Sequence, residues 1–83
     1  MNNYIITFFT VTDALYFEKL SKNKMSVRLI NVPRKLSTSC GYALEVQNAL
    51  SEDLESLLEM EQAFYQEVFL VENGDYKMIV DNS

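Results

Sequence analysis

Residues 4–9 are Tyr-Ile-Ile-Thr-Phe-Phe, a run of β-branched and aromatic side chains without polar alternation. Such a run predicts a strand that is buried on both faces and therefore lies in the interior of a sheet. Residues 10–13, Thr-Val-Thr-Asp, fit the capping pattern that starts a helix. Apolar residues then recur at helical spacing, namely Ala14, Phe17 and Leu20. We therefore expect a central strand followed by an amphipathic helix.

The next segment predicts two strands joined by a long polar loop. Residues 27–32 form an apolar run that ends at Pro33, which has no amide hydrogen to donate to a sheet. Residues 34–41 are polar and rich in hydroxyl groups, so we expect a loop of about eight residues. Residues 42–47 then alternate between core-facing and outward side chains, which is typical of a strand with one face on the core.

The C-terminal half predicts a second helix and a terminal hairpin. We expect Ser51 to be the N-cap, because the acidic residues that follow it favour the positive end of a helix. The predicted apolar stripe of this helix consists of Leu54, Leu57, Leu58 and Phe64, with Met60 alongside. Residues 67–72 predict another strand, and the Asn73-Gly74 pair before residues 75–80 is typical of a tight hairpin turn.

The order strand, helix, strand, strand, helix, strand predicts an α+β fold. It matches the ferredoxin-like βαββαβ sandwich, here with an extra C-terminal hairpin strand and with two helices on one face of an antiparallel sheet. We expect residues 1–83 to form a single domain, because the chain is too short for two. The other face of the sheet stays open or is shared with a second copy of the chain. Seven aromatic residues, more than one thin core requires, favour such a homodimer: Tyr4, Phe8, Phe9, Tyr42, Tyr65, Phe69 and Tyr76.

The charge of the chain limits its partners. Twelve acidic and seven basic residues give a net charge of −5, which opposes binding to the phosphates of nucleic acid and to an anionic membrane surface. The longest apolar runs, such as residues 68–71, are too short to span a bilayer, and the first residues lack the basic and apolar regions of a secretory signal. We therefore expect a cytoplasmic protein that binds neither nucleic acid nor membrane.

The cysteine and histidine content narrows the chemistry. The chain has one cysteine and no histidine, which excludes an internal disulfide, Ser-His-Asp and Cys-His catalysis, and the common zinc sites. No Asp-rich loop has calcium-binding spacing. The acidic residues of the second helix spread around it as on a solvated face: Glu52, Asp53, Glu55, Glu59 and Glu61. We expect no metal and no cofactor.

The single cysteine, Cys40, is the candidate functional group. It lies near the end of the polar loop, and its neighbours Thr38, Ser39 and Gly41 are not typical of a core segment. The alternative is a buried Cys40 at the start of the third strand, because free cysteine is among the most buried residue types.

Several short motifs surround the loop in a fixed order: Phe8-Phe9 before Thr10, Asp13-Ala14-Leu15, Pro33-Arg34, Ser37 and Cys40-Gly41. In these residues the chain resembles a known family, the selenium/sulfur carrier-like family of short bacterial proteins. The resemblance covers nearly the whole chain. In that family a strand and a helix precede a Val-Pro-Arg turn and a Ser-rich loop that ends in Cys-Gly, and a short acidic helix and a hairpin follow. The resemblance implies that the cysteine carries sulfur or selenium.

A carrier of this kind needs one exposed thiolate that accepts a sulfur atom as a persulfide. Arg34 and Lys35 lie five or six positions before Cys40 and can fold back over the loop. A positive charge there lowers the pKa of the thiol. The plainer interpretation of both residues is that they are solvated loop charges, whose energetic worth is small.

The other loop residues also have two interpretations. Ser37, Thr38 and Ser39 offer hydroxyl donors to the sulfur. Gly41 lets the backbone of a partner approach or supplies a special dihedral angle, and turn geometry is the plainer reason for both Pro33 and Gly41.

From these features we expect a non-enzymatic carrier or accessory protein with Cys40 as the acceptor. Its protein partner would be an enzyme that donates or accepts sulfur or selenium. The alternative is a protein-interaction or small-ligand-binding module of ferredoxin-like fold whose thiol is incidental. The exposure of the Cys40 sulfur and its distance from Arg34 distinguish the two.

Overall fold

A computed structural model describes residues 1–36, 41–60 and 64–82 of the chain. The elements are β1 (Asn2–Thr7), α1 (Val11–Ser21), β2 (Ser26–Asn31), β3 (Tyr42–Ala49), α2 (Ser51–Leu58), β4 (Glu67–Glu72) and β5 (Asp75–Asp81). The strands form a five-stranded antiparallel sheet with the order β2-β3-β1-β4-β5. The predicted α+β architecture, with two helices and an added C-terminal hairpin strand, is confirmed.

Strand β1 lies at the centre of the sheet, between β3 and β4. Its Ile6 stands opposite Leu44 of β3 and Val68 of β4, and all three side chains are buried. Residues 4–8 are buried without a break, which confirms the prediction of an interior strand. The strand itself ends at Thr7, so the two phenylalanines that follow belong to the connection into α1.

The main core lies between one face of the sheet and both helices. Ala14 and Phe17 of α1 and Leu54 and Leu57 of α2 are buried there. The sheet contributes Tyr4, Ile6, Leu44, Val46 and Val68, and Phe8 follows β1. Each large apolar side chain that leaves water in this way stabilises the fold by about 1.5–3 kcal/mol. Helix placement is therefore set by the apolar stripes rather than by helix propensity.

The two helix starts differ in how they are capped. Thr10 caps α1 as predicted, because its Oγ1 accepts a hydrogen bond of 3.1 Å from the backbone amide of Asp13. The prediction of Ser51 as the N-cap of α2 is wrong. Leu50 occupies that position without a side-chain hydrogen bond, and its carbonyl accepts the first helical bond from Leu54. The backbone alone starts this helix, one residue earlier than the sequence signal.

Helix α2 is also shorter than its predicted apolar stripe. It ends at Leu58, where the amides of Glu59 and Met60 close the last turn on the carbonyls of Glu55 and Leu57. The placement of Phe64 in the stripe is therefore wrong. Its side chain is 63% exposed and lies beyond the helix.

The face of the sheet away from the helices carries a second, smaller core. Ile5, Ala43 and Phe69 are buried there. Partly buried side chains from both edges of the sheet pack against them: Ile30, Val32, Leu36, Val71 and Tyr76. Leu36 belongs to the loop after β2, so the chain covers part of this face with its own loop.

The hairpin between β4 and β5 turns at Asn73 and Gly74. Their φ angles are 50° and 81°, the positive values that a type I′ turn requires at both central residues. The predicted hairpin is confirmed.

Candidate functional site

The predicted site lies in the loop between β2 and β3, of which the structure describes both ends. Ser37, Thr38, Ser39 and Cys40 lie outside the described residues. Residues 33–36 form the first end, and Gly41 forms the second. The roles assigned to the Cys40 sulfur therefore stay predictions, and the two described ends show how the loop leaves the sheet and returns to it.

The base of the loop is closed by a backbone hydrogen bond. The amide of Val32 donates to the carbonyl of Gly41 over 3.0 Å, which extends the β2–β3 ladder by one further pair beyond Asn31 and Tyr42. Gly41, the residue that follows Cys40 in the sequence, is thereby fixed to the end of the sheet.

Gly41 has a backbone conformation that favours glycine. Its φ is 77°, in the left-handed region where a side chain adds strain. A Cβ at this position would meet no atom within 4 Å, so the space around Gly41 is open. The dihedral angle, rather than crowding, explains the residue.

The first end of the loop is a tight turn that packs on the sheet. The amide of Leu36 donates to the carbonyl of Pro33 over 3.0 Å. The Leu36 side chain then packs against Ile5, Ala43 and Phe69. Burial of Leu36 thus pulls the turn onto the face that the helices leave uncovered.

Lys35 fixes the same turn to the far side of the sheet. Its Nζ donates to Asp75 Oδ1 over 2.8 Å and to the carbonyl of Gly74 over 3.3 Å. This hydrogen bond from Lys35 lowers the pKa of Asp75, and the same contact raises the pKa of Lys35. Strands β2 and β5 are the two edges of the sheet, and sheet twist brings opposite corners towards one face. The first end of the loop, residues 33–36, therefore reaches diagonally across the sheet.

These two attachments of the loop are not evident from the sequence. The sequence predicts Lys35 as a cation for Cys40, whereas the structure brings its ammonium group to Asp75. Arg34, the other predicted cation, is exposed at the turn. No local signal reveals the Lys35–Asp75 pair, because its members lie 40 positions apart.

The structure gives no metal site in the part of the chain that it describes. No group of three or more cysteine, aspartate or glutamate side chains there is close enough to hold an ion. The acidic side chains of α2 point to solvent, as predicted for Glu52, Asp53 and Glu55. Within the same described ranges, neither helix has the length and apolar character needed to cross a membrane.

Comparison with known proteins gives one family. The family described as "Putative Se/S carrier protein-like" matches residues 3–70, from β1 into β4. The match contains the whole loop from Pro33 to Gly41, and it confirms the resemblance found in the sequence. No curated protein and no solved structure matches the chain.

Proposed function

The chain belongs to the Se/S carrier protein-like family, and from this membership we propose that it is a non-enzymatic carrier or accessory protein of sulfur or selenium metabolism. Cys40 is the acceptor. The observation that carries the proposal is the extent of the family match, because residues 3–70 include Cys40 together with both ends of its loop. The place of action that fits this role is the cytoplasm, where a lone thiol stays reduced.

The proposed transfer needs no oxidant. The Cys40 thiolate attacks the outer sulfur of a persulfide on the donor protein, and a new S–S bond forms at Cys40. The S–S bond of the donor breaks, and the donor cysteine leaves as a thiolate. Selenium in place of the outer sulfur gives the same balance. The second step repeats this exchange from Cys40 to an acceptor thiolate.

The ends of the loop support this role. Gly41 has open space around it, which leaves room for the backbone of a partner beside Cys40. Arg34 is exposed on the turn, and we assign it to the stabilisation of the thiolate. Lys35 contributes mainly by fixing the turn through Asp75. The hydroxyl groups of Ser37 and Ser39 are the proposed donors to the sulfur.

Intact-mass measurement tests the proposal. Incubation of the full chain with inorganic polysulfide, or with a cysteine desulfurase and cysteine, should add the mass of one sulfur atom. A reductant should remove it. Cys40→Ser should add nothing, whereas Ser21→Ala, which changes a buried hydroxyl of α1, should load normally. An unmodified wild-type chain, or equal loading of Cys40→Ser, contradicts the proposal.

A second candidate function is an interaction module in which the loop is structural and the thiol incidental. The packing of Leu36 and the Lys35–Asp75 pair favour it, because both hold the loop on the sheet. A fast reaction of Cys40 with an aromatic disulfide reagent in the folded chain favours the carrier. A rate equal to that of global unfolding favours the module.

We also propose that the first four strands belong to the ferredoxin-like class. Strand β3 lies between β1 and β2, which α1 connects, and β1 lies between β3 and β4, which α2 connects. Each βαβ unit is therefore split by one inserted strand, which is the pattern of that class.

A further inference from the structure

An open cleft lies at the end of the sheet from which the Cys40 loop leaves. It has a volume of about 460 Å³ and is lined by Phe9, Asp13, Phe64, Tyr65 and Asn82. Thr7 of β1 pairs with Ala43 of β3 and with Glu67 of β4. The lining residues flank these strand ends in the sequence, and Gly41 lies two positions before Ala43. The cleft and the base of the loop therefore share one end of the sheet.

Three chain segments meet at the cleft, namely residues 7–13, 64–67 and 82, and hydrogen bonds join them. The amide of Gln66, next to Tyr65, donates to the carbonyl of Thr7 over 2.7 Å, and the amide of Asn82 donates to the carbonyl of Gln66 over 2.9 Å. The amide of Glu67 donates to Thr7 Oγ1 over 3.1 Å. The cleft is thus part of the folded framework and does not depend on one loose loop.

Aromatic rings form most of the cleft lining. Tyr65 contacts Phe17 edge to face at a centroid distance of 6.3 Å, and Phe17 contacts Phe8 at 5.5 Å. The ring of Tyr65 is therefore supported from the main core. Phe9 and Phe64 are 43% and 63% exposed, which costs free energy unless a ligand or partner covers them.

The one charged side chain among the described lining residues is Asp13, and its negative charge favours a positively charged ligand. Asp13 contributes a carboxylate, and none of the described lining residues is basic. The faces of aromatic rings attract cations, so the rings and the carboxylate act in the same direction. The positive pole at the start of α1 opposes this, but Asp13 lies in its first turn and offsets that pole. The net charge of −5 also draws basic partners to the chain.

We propose that this cleft binds an arginine or lysine side chain, flanked by apolar residues, on the protein that exchanges sulfur or selenium with Cys40. The identity of that protein as the exchange partner rests on the proposed function, whereas the choice of a basic segment rests on the cleft alone. The partner then approaches the end of the sheet where Gly41, the residue after Cys40 in the sequence, joins β3.

The direct test is an NMR titration of the isotope-labelled full chain. The probe is the peptide acetyl-Leu-Arg-Leu-amide, and its control has citrulline in place of arginine. The arginine peptide should shift the signals of Phe9, Asp13, Tyr65 and Asn82, and the citrulline peptide should not. Asp13→Asn should weaken binding about fivefold. Phe64→Ala should weaken it about tenfold.

Two matched variants control for general effects. Glu52→Gln removes an exposed carboxylate from α2, and Leu15→Ala removes an exposed apolar side chain from α1. Both should bind the peptide as the wild type does. Equal binding of the citrulline peptide, or signal shifts confined to other residues, overturns the proposal. If tetramethylammonium binds as tightly as the peptide, the cleft recognises small cations and the proposal of a protein partner is wrong. If the signals of the same residues shift with protein concentration in the absence of peptide, the occupant of the cleft is a second copy of the chain, which also contradicts the proposal.

A transfer assay separates this inference from the proposed function. Asp13→Asn should load normally from inorganic polysulfide but take sulfur more slowly from a cysteine desulfurase charged with cysteine. If Asp13→Asn takes up sulfur as fast as the wild type in both assays, the cleft has no role in docking. If polysulfide does not load even the wild type, the carrier function fails, while peptide binding by Cys40→Ser still supports the cleft.

Discussion

Gly41 and Gly74 have nearly the same backbone geometry in different surroundings. Their φ angles are 77° and 81°, and a Cβ on either would meet no atom within 4 Å. Gly41 borders Cys40 in the sequence, whereas Gly74 lies in the hairpin turn. The pair therefore separates the cost of left-handed backbone from effects on the thiol.

Gly41→Ala should destabilise the fold by about 1–2 kcal/mol, because L-residues are strained at positive φ. It should also change the rate at which Cys40 reacts with a thiol reagent. Gly74→Ala should cost a similar amount in urea unfolding but leave the thiol rate unchanged. If Cys40 reacts with the thiol reagent at the same rate in both variants, Gly41 is needed only for the backbone turn and does not affect the thiol.

The Lys35–Asp75 pair makes a pH-dependent contribution whose sign follows from the two pKa shifts. The pKa of Asp75 is lowered, so its stabilisation is present above the ordinary value of 3.8 and is lost as the pH falls through the folded value. The pKa of Lys35 is raised, so its stabilisation is present below 10.5 and is lost as the pH rises through the folded value. The attachment of the loop should therefore persist across the whole neutral range.

NMR titration of the Asp75 carboxyl carbon should give a midpoint below 3.8 in the wild type. Lys35→Met should raise that midpoint, because the hydrogen bond from the ammonium group is gone. Lys77→Met, which removes another exposed cation from the same hairpin, should leave it unchanged. High salt should shrink the difference by screening. An Asp75 midpoint that is the same in the wild type and in Lys35→Met would disprove the Lys35–Asp75 contact.

At the scale of elements, the two helix starts provide a matched comparison. Thr10→Ala should destabilise the chain by about 1 kcal/mol, because the Oγ1 bond to the Asp13 amide is lost. Ser51→Ala should change stability by no more than about 0.5 kcal/mol, because Ser51 lies inside α2 and Leu50 is the cap. Chemical unfolding measures both. An equal loss in the two variants would contradict this assignment of the caps.

The elements that the sequence predicts correctly carry strong local signals. The continuous run around Ile6 gives the central strand, Thr10 gives the helix cap, and Asn73-Gly74 gives the hairpin. The N-cap of α2 is mispredicted, because the acidic residues after Ser51 mark the first turn of the helix but not the cap residue itself. The position of Phe64 is mispredicted, because apolar spacing alone does not show where a helix ends.

The candidate site is less predictable than the fold, because its contacts join distant segments. Leu36 packs against the smaller core that contains Ile5 and Phe69, and Lys35 reaches Asp75. These contacts follow from the way residues 33–36 lie across a twisted sheet, and periodicity within a window does not contain that information. The same holds for the cleft, whose lining residues come from three separate segments of the chain.

For the whole molecule, homodimerisation stays a prediction. Strand β5 is an edge of the sheet, and its Met78 and Ile79 are 43% and 44% exposed. An uncovered edge with apolar side chains is a template for pairing with another strand. Sedimentation equilibrium should give a mass of twice the chain mass of 9.6 kDa. The Met78→Lys variant should have the mass of a single chain. A wild-type mass of one chain would refute the dimer.

The sequence separation of 40 residues from Lys35 to Asp75 also has a consequence for biosynthesis. The ribosome releases the N-terminal part of a nascent chain first, so the turn with Lys35 emerges well before its acidic partner. Until Asp75 is translated, residues 33–36 lack this ion pair. The attachment of the turn through Lys35 is therefore a late event of maturation, and it waits for a residue that lies beyond the family match at residue 70.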